Sequence, residues 1–98
     1  MAGQTVAGTF TGTSNIGDVC IIPTSTTSMK LTLTGADASN TAKTRKRTTP
    51  GGAFVDQVTY NSAQTNTAIT VAAGEEWQLV PVAMQAGKEL RWKLSCES

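Results

Sequence analysis

Few residues of this chain could do chemistry. It has 98 residues and no histidine, so the usual general base and the commonest metal ligand are both missing. Neither a Ser-His-Asp nor a Cys-His site can therefore be built from it. No glycine pair falls within a phosphate-cradling motif. We expect no enzyme activity, and the sequence indicates no catalytic residue, metal or cofactor.

The two cysteines, Cys20 and Cys96, lie too far apart in the chain for a metal-binding pair such as Cys-x-x-Cys. Two cysteines are also too few for a disulfide scaffold. The favoured interpretation is that both fill apolar space in the core. The alternative, a disulfide that ties an early strand to the last one, stays open.

The acidic residues are scattered, and only Glu75 and Glu76 are neighbours, at a turn. If they begin a strand, their side chains point to opposite faces, which does not suit a site with paired carboxylates. We therefore interpret the pair as part of a solvated hairpin.

The basic residues include one cluster, within an acid-free stretch from residue 38 to residue 55. Its members are Lys43, Arg45, Lys46 and Arg47. Three interpretations remain open: a solvated or edge-protecting strand, a docking site for an acidic protein surface, and a nucleic-acid site. No aromatic residues are interleaved with the cations to stack on bases, so nucleic acid is the least favoured. Arg91 and Lys93 would join the docking patch if the last strand pairs nearby.

The composition is that of a strand-rich chain with little charge. It has 17 threonines, 15% charged residues, a net charge of +1 and a pI of about 7.8. This balance gives no reason to expect a membrane surface or nucleic acid as partner. The first residues do not form a secretory signal, and no apolar run is long enough to span a membrane. We expect a soluble product made in the cytoplasm.

Apolar residues alternate with polar ones almost throughout, which indicates β-strands. The clearest strands are residues 29–34 and 90–96, and each shows one apolar and one polar face. Weaker candidates are residues 4–11, 18–22, 41–48, 54–60, 67–72 and 76–84. Pro23 is expected to end its strand, and Pro81 to lie at an edge or bulge. The predicted fold is all-β, an antiparallel β-sandwich of about seven or eight short strands, Ig-like or jelly-roll-like, with no significant helix.

A chain of this length forms one small core. Residues 17–98 are predicted to form a single sandwich domain, and residues 1–16 a first strand or a flexible arm. The predicted core comprises Phe10, Leu31, Leu33, Phe54, Trp77, Leu79, Trp92 and Leu94. Because this core is modest, contacts between subunits would help to stabilise it. Apolar residues left outside it are the candidate subunit interface: Ile21, Ile22, Val80, Val82 and Met84.

The order of strands and turns also resembles a known group of proteins. A Thr/Gly-rich first segment is followed by Leu-Thr-Leu-Thr-Gly at 31–35, Pro-Gly-Gly-Ala-Phe at 50–54, Ala-Gly-Glu-Glu-Trp-Gln-Leu at 73–79 and a closing Ala-Gly-Lys-Glu-Leu-Arg-Trp-Lys-Leu-Ser at 86–95. This layout resembles small β-sandwich virion proteins of tailed phages, found among head and decoration components. The resemblance implies a capsid decoration or cement protein without catalytic residues. Such a protein binds the major capsid protein in many copies, commonly as trimers, on the virion surface after synthesis in the host cytoplasm.

A phage tail, fibre or adhesion module that binds a host surface glycan or protein is the alternative. Exposed aromatic rings beside Asn or Asp would mark such a site. Only Tyr60, next to Asn61, and Trp77 are candidates, and the alternation of Trp77 with Leu79 assigns Trp77 to the core.

Overall fold

In the part of the chain that the structure describes, all regular elements are β-strands. The computed structural model describes residues 4–13, 17, 19–22, 28–49 and 51–96, and these residues contain no helix. The eight strands are β1 (Gln4–Phe10), β2 (Cys20–Ile21), β3 (Ser28–Thr34), β4 (Thr41–Arg47), β5 (Val55–Tyr60), β6 (Gln64–Thr70), β7 (Glu76–Ala83) and β8 (Leu90–Cys96). The all-β prediction is confirmed.

The strands form two four-stranded antiparallel sheets. Sheet A has the order β1-β8-β3-β6, and sheet B has the order β2-β7-β4-β5. Only β4 and β5 are both consecutive in the chain and paired, whereas every other connection crosses from one sheet to the other. This is the strand order of an eight-stranded jelly roll made of two Greek keys. The Ig-like arrangement, in which further consecutive strands pair within one sheet, is not formed.

The predicted strands agree with the observed ones except at a few ends. β6 begins at Gln64 rather than at residue 67, because its first residues are polar and carry no apolar alternation. β7 pairs with β2 only at Glu76 and Trp77, so Pro81 lies beyond the end of β2. On the other side of β7 the register with β4 shifts between Thr41 and Ala42, so the bulge expected at the proline is present. Pro23 lies outside the described residues.

The core lies between the two sheets and is built from alternate strand positions. The buried apolar side chains include Phe10, Met29, Leu31, Leu33, Trp77, Leu79, Leu90, Trp92 and Leu94. The rings of Phe10 and Trp92 stack with their centroids 5.4 Å apart. Of the predicted core residues, only Phe54 is misplaced, since it precedes β5 and lies against the side chains of Arg45 and Arg47.

The predicted N-terminal segment and the cysteines are described only in part. Within residues 1–16, β1 pairs along its whole length with β8. Cys20 is fully buried in the core. Cys96 ends β8 in the opposite sheet, and its side chain lies outside the described residues. The two interpretations of the cysteine pair therefore both stay open.

Candidate docking surfaces

The basic cluster lies on β4, in the interior of sheet B. Since β4 pairs with β7 on one side and with β5 on the other, the strand does not protect an edge. Lys43 Nζ lies 2.9 Å from Asp56 Oδ2, a carboxylate of the neighbouring β5. Lys46 Nζ lies 2.8 Å from Glu75 Oε2, at the start of β7. Both lysines are thus neutralised by carboxylates of the same sheet.

The two arginines of β4 are held by side chains of β7 on the outer face of sheet B, one by an amide and the other by a carboxylate. Arg45 donates from Nε and Nη2 to Oε1 of Gln78, at 2.8 and 2.6 Å. Arg47 forms an ion pair with Glu76, the residue opposite it on β7. The ring of Phe54 lies 4.8 Å from Cζ of Arg45 and 4.5 Å from Cζ of Arg47, within cation–π distance. All four cations of β4 are therefore engaged within the protein.

The acidic pair is not a solvated hairpin, and that interpretation is wrong. Glu75 and Glu76 are both largely buried, 6% and 9% exposed. They do point in different directions, Glu75 to Lys46 and Glu76 to Arg47. Sequence reasoning missed this pairing because nothing in the local pattern places β4 beside β7.

Glu75 links three elements. Its Oε1 accepts hydrogen bonds from the backbone N–H of Ala72 at 2.7 Å and from Nε1 of Trp77 at 3.2 Å. Burial alone would raise the pKa of Glu75, but the hydrogen bonds from Lys46, Ala72 and Trp77 outweigh that effect and hold the pKa below its ordinary value. The charged form is therefore the one that stabilises this end of the sandwich.

Stability should depend on pH through Glu75. Because its pKa is lower in the folded state, the stabilisation is present above the unfolded-state pKa of about 4.5 and is lost as pH falls through the folded-state pKa. Between pH 7 and about pH 5.5 the contribution should be constant, since the carboxylate is ionised in both states. Urea titrations at several pH values should show a smaller acid-induced loss for Glu75→Gln than for the wild type. Parallel curves for the two proteins would contradict this.

The outer face of sheet A has a different character. The strands β1, β3, β6 and β8 contain no Asp or Glu. Their outward hydroxyl side chains are Thr5, Thr9, Ser28, Thr32, Thr34, Thr70 and Ser95. Three cations lie among them, Lys30, Arg91 and Lys93. Arg91 is 3.2 Å from Glu89 in the preceding turn.

The structure does not unite the predicted docking residues. Arg91 and Lys93 lie on β8, which pairs with β1 and β3 in sheet A, whereas the basic cluster lies in sheet B. The condition for one joint patch is therefore not met. Lys30, which sequence reasoning left out of the docking set, is instead the neighbour of Lys93. The alternation of apolar and polar residues in β3 already indicated that Lys30 points outward. Nothing in the sequence indicated that β3 pairs with β8, which places Lys30 beside Lys93.

Lys30 and Lys93 border a depression of about 240 Å³ in this face. Its lining residues are Ser28, Lys30, Asn66, Lys93 and Ser95. Among the described residues, neither lysine has an ion-pair partner. The depression therefore presents two ammonium groups that no described carboxylate pairs with, among hydroxyl and amide groups.

The backbone of β6 is irregular at the depression. Asn66 has φ of 47°, a left-handed conformation that asparagine adopts more readily than most residues. The register between β3 and β6 shifts here, between Leu31 and Leu33. The hydroxyl of Thr32 accepts from the backbone N–H of Asn66 and donates to its side-chain oxygen, at 3.3 and 3.5 Å. Such bulges re-aim side chains, and this one turns Asn66 to the depression.

The candidate subunit interface is only partly exposed. Ile21 and Val82 are 53% and 45% exposed, whereas Ile22 and Val80 are buried within the chain. Met84 is partly buried against the core. The expectation that Ile22 and Val80 lie outside the core is therefore wrong. A role in subunit contacts stays a prediction for Ile21, Val82 and Met84, of which Ile21 and Val82 are the most exposed.

Comparison with known proteins gives no relative: no family model, no curated protein and no solved structure matches the chain. The resemblance to phage virion proteins therefore stays a hypothesis. Within the described ranges, no group of His, Cys, Asp and Glu could hold a metal ion. The same part of the chain contains no helix that is long and apolar enough to cross a membrane.

Proposed function

We propose that this chain is a structural virion protein, a decoration or cement protein that binds the lattice of the major capsid protein and stabilises it. The observation that carries the proposal is the contrast between the two outer faces. In sheet B, three of the four cations of β4 form ion pairs and the fourth, Arg45, donates hydrogen bonds to Gln78. Sheet A instead presents a four-stranded face of hydroxyl groups with two lysines that no described carboxylate compensates. A face of this kind suits docking onto another protein surface.

The fold and the sequence layout support the same proposal. Jelly rolls serve as viral capsid domains, although lectins and cupins share the architecture, so the fold alone does not decide the function. The layout of strands and turns resembles that of phage head and decoration proteins. These two observations together favour a virion protein.

The side chains of the docking face suit binding to a partner that repeats in many copies, such as a capsid lattice. Serine and threonine side chains lose little rotamer entropy when they are covered. Each contact with the shell can be weak if the copies also associate with one another. Several linked copies then bind the symmetric shell at once, and this multivalency raises the overall affinity. The proposed assembly is a homo-oligomer, a trimer by the resemblance, on the capsid surface. Ile21 and Val82 are its candidate subunit contacts.

The alternative of a glycan-binding tail or adhesion module has no specific observation in its favour. Trp77 and Trp92 are 3% and 5% exposed, so neither offers a ring face to a sugar. Tyr60 is partly buried against the core.

Binding to shells tests the proposal. Purified protein is added to particles assembled without this chain, and the mixture is sedimented, with an unrelated β-sandwich of similar size as the control. Saturable binding at a fixed ratio to the major capsid protein is expected. Absence of co-sedimentation at a large molar excess would overturn the proposal.

A further inference from the structure

We infer that the outer face of sheet A docks against an acidic patch of the shell protein, and that a carboxylate side chain of this patch enters the depression between Lys30 and Lys93. This inference rests on the proposed function and adds to it the docking face and the chemistry of the partner.

The first argument is the uncompensated charge. Lys30 lies opposite Ser95 and Lys93 lies opposite Thr32, so the two lysines are diagonal neighbours on adjacent strands. Long side chains at diagonal positions are within reach of each other, and two like charges at that separation repel. No carboxylate on the strands of sheet A offsets this repulsion. A docked carboxylate would remove it.

The contrast with β4 sharpens this argument. The same chain supplies Asp56, Glu75 and Glu76 to three of the four cations of β4. Internal compensation is therefore available to this fold, and among the residues that the structure describes it is absent where Lys30 and Lys93 lie. A carboxylate supplied by the partner would complete the pattern seen in sheet B.

The lining of the depression fits the same ligand. Besides the two ammonium groups it contains the hydroxyls of Ser28 and Ser95 and the amide of Asn66. The side-chain oxygen of Asn66 accepts from Thr32, so its NH₂ group is the part left to donate elsewhere. At about 240 Å³ the depression is smaller than the pockets of about 300–1,000 Å³ that hold drug-sized ligands, and an Asp or Glu side chain fits that scale.

A nucleic-acid strand fits less well. Binding along a phosphate backbone uses a groove of successive cations together with exposed aromatic rings. Here the lysines flank one depression, Arg91 is engaged by Glu89, and both tryptophans are buried. An acidic protein surface therefore accounts for the observations better.

The test compares two double variants with the same change in net charge. Lys30→Gln/Lys93→Gln removes the cations of the depression. Lys43→Gln/Lys88→Gln removes one lysine of β4 in sheet B and one of the turn between β7 and β8, outside the strands of sheet A. Each is titrated onto shells that lack this chain, before and after the shells are treated with nuclease, at low and at physiological salt. The first variant should bind at least tenfold more weakly than the wild type, with a smaller salt dependence. The control should stay within about twofold, because its lysines lie outside the docking face.

The outcomes separate the inference from the proposed function. If the wild type binds and Lys30→Gln/Lys93→Gln binds equally well, the inference fails and the proposed function stands. If the wild type does not bind shells at all, the proposed function fails. If binding disappears on nuclease treatment, nucleic acid is the occupant, and the inference is overturned.

A stability measurement on the free protein checks the first argument separately. Lys30→Thr/Lys93→Thr should raise the Tm by about 1–5 °C, because it removes the repulsion and threonine suits a strand. The same variant should bind shells less tightly. A lower Tm would show that the two lysines do not repel each other in the free protein, which would overturn the argument.

Discussion

Replacement of Glu75 by alanine should lower the free energy of unfolding by about 2–3 kcal/mol, because the buried indole N–H of Trp77 and the backbone N–H of Ala72 lose their acceptor at once. In the wild type, Oε1 of Glu75 accepts from Ala72 N–H and from the indole of Trp77, which is 3% exposed. Each unsatisfied buried donor costs about 1–3 kcal/mol. Lys46 adds less to the loss, since about a third of its side chain is exposed and its ammonium can be hydrated instead.

The matched variant is Glu75→Gln. Its side-chain oxygen can still accept from Ala72 and Trp77, and only the charge facing Lys46 is lost. We expect Glu75→Gln to cost about 1 kcal/mol, within the range of a weak, partly exposed ion pair. Urea unfolding followed by tryptophan fluorescence gives both values. Equal losses for the two variants would show that the ion pair rather than the acceptor role of Glu75 stabilises this end of the sandwich.

Replacement of Gly35 by alanine should lower the free energy of unfolding by about 2–4 kcal/mol, through strain and overlap together. Gly35 directly follows β3 and has φ of 97°, a conformation that an alanine adopts only with strain. A Cβ atom built there would lie 2.6 Å from the carbonyl oxygen of Glu89, a backbone atom that cannot swing away. Glu89 directly precedes β8, so the substitution disturbs the pairing of two central strands of sheet A.

Gly51 is the control that separates the two effects. Its φ of 79° is also positive, but an added Cβ would meet no atom within 4 Å. Gly51→Ala should therefore cost only the conformational strain, about 1–2 kcal/mol. Thermal unfolding of both variants measures the difference. If Gly51→Ala proves as damaging as Gly35→Ala, the overlap with Glu89 contributes nothing.

The strands and most of the core could be predicted from the sequence because alternation is a local property. Residues 29–34 and 90–96 display it fully, and the structure buries their apolar sides as expected. Phe54 shows the limit of this reasoning. A phenylalanine in a lean chain suggests the core, but the turn before β5 brings its ring over Arg45 and Arg47, where cation–π contacts hold it.

The candidate site could not be predicted in the same way, because it depends on which strands lie side by side. Lys30 and Lys93 are 63 positions apart and meet only because β3 pairs with β8. Likewise, Glu75 meets Lys46 only because β7 pairs with β4. A bulge at Asn66 then shapes the depression. The polar residues 64–66 show no sequence pattern that predicts this bulge. The alternation of apolar and polar residues therefore predicts neither which distant strands pair nor where a strand contains a bulge.

The most direct test of the central claim is the copy number of this chain in purified particles from its source. Quantitative mass spectrometry would measure it relative to the most abundant shell protein. A decoration protein predicts hundreds of copies in a simple ratio to the shell protein. A few copies per particle, or none, would contradict that role.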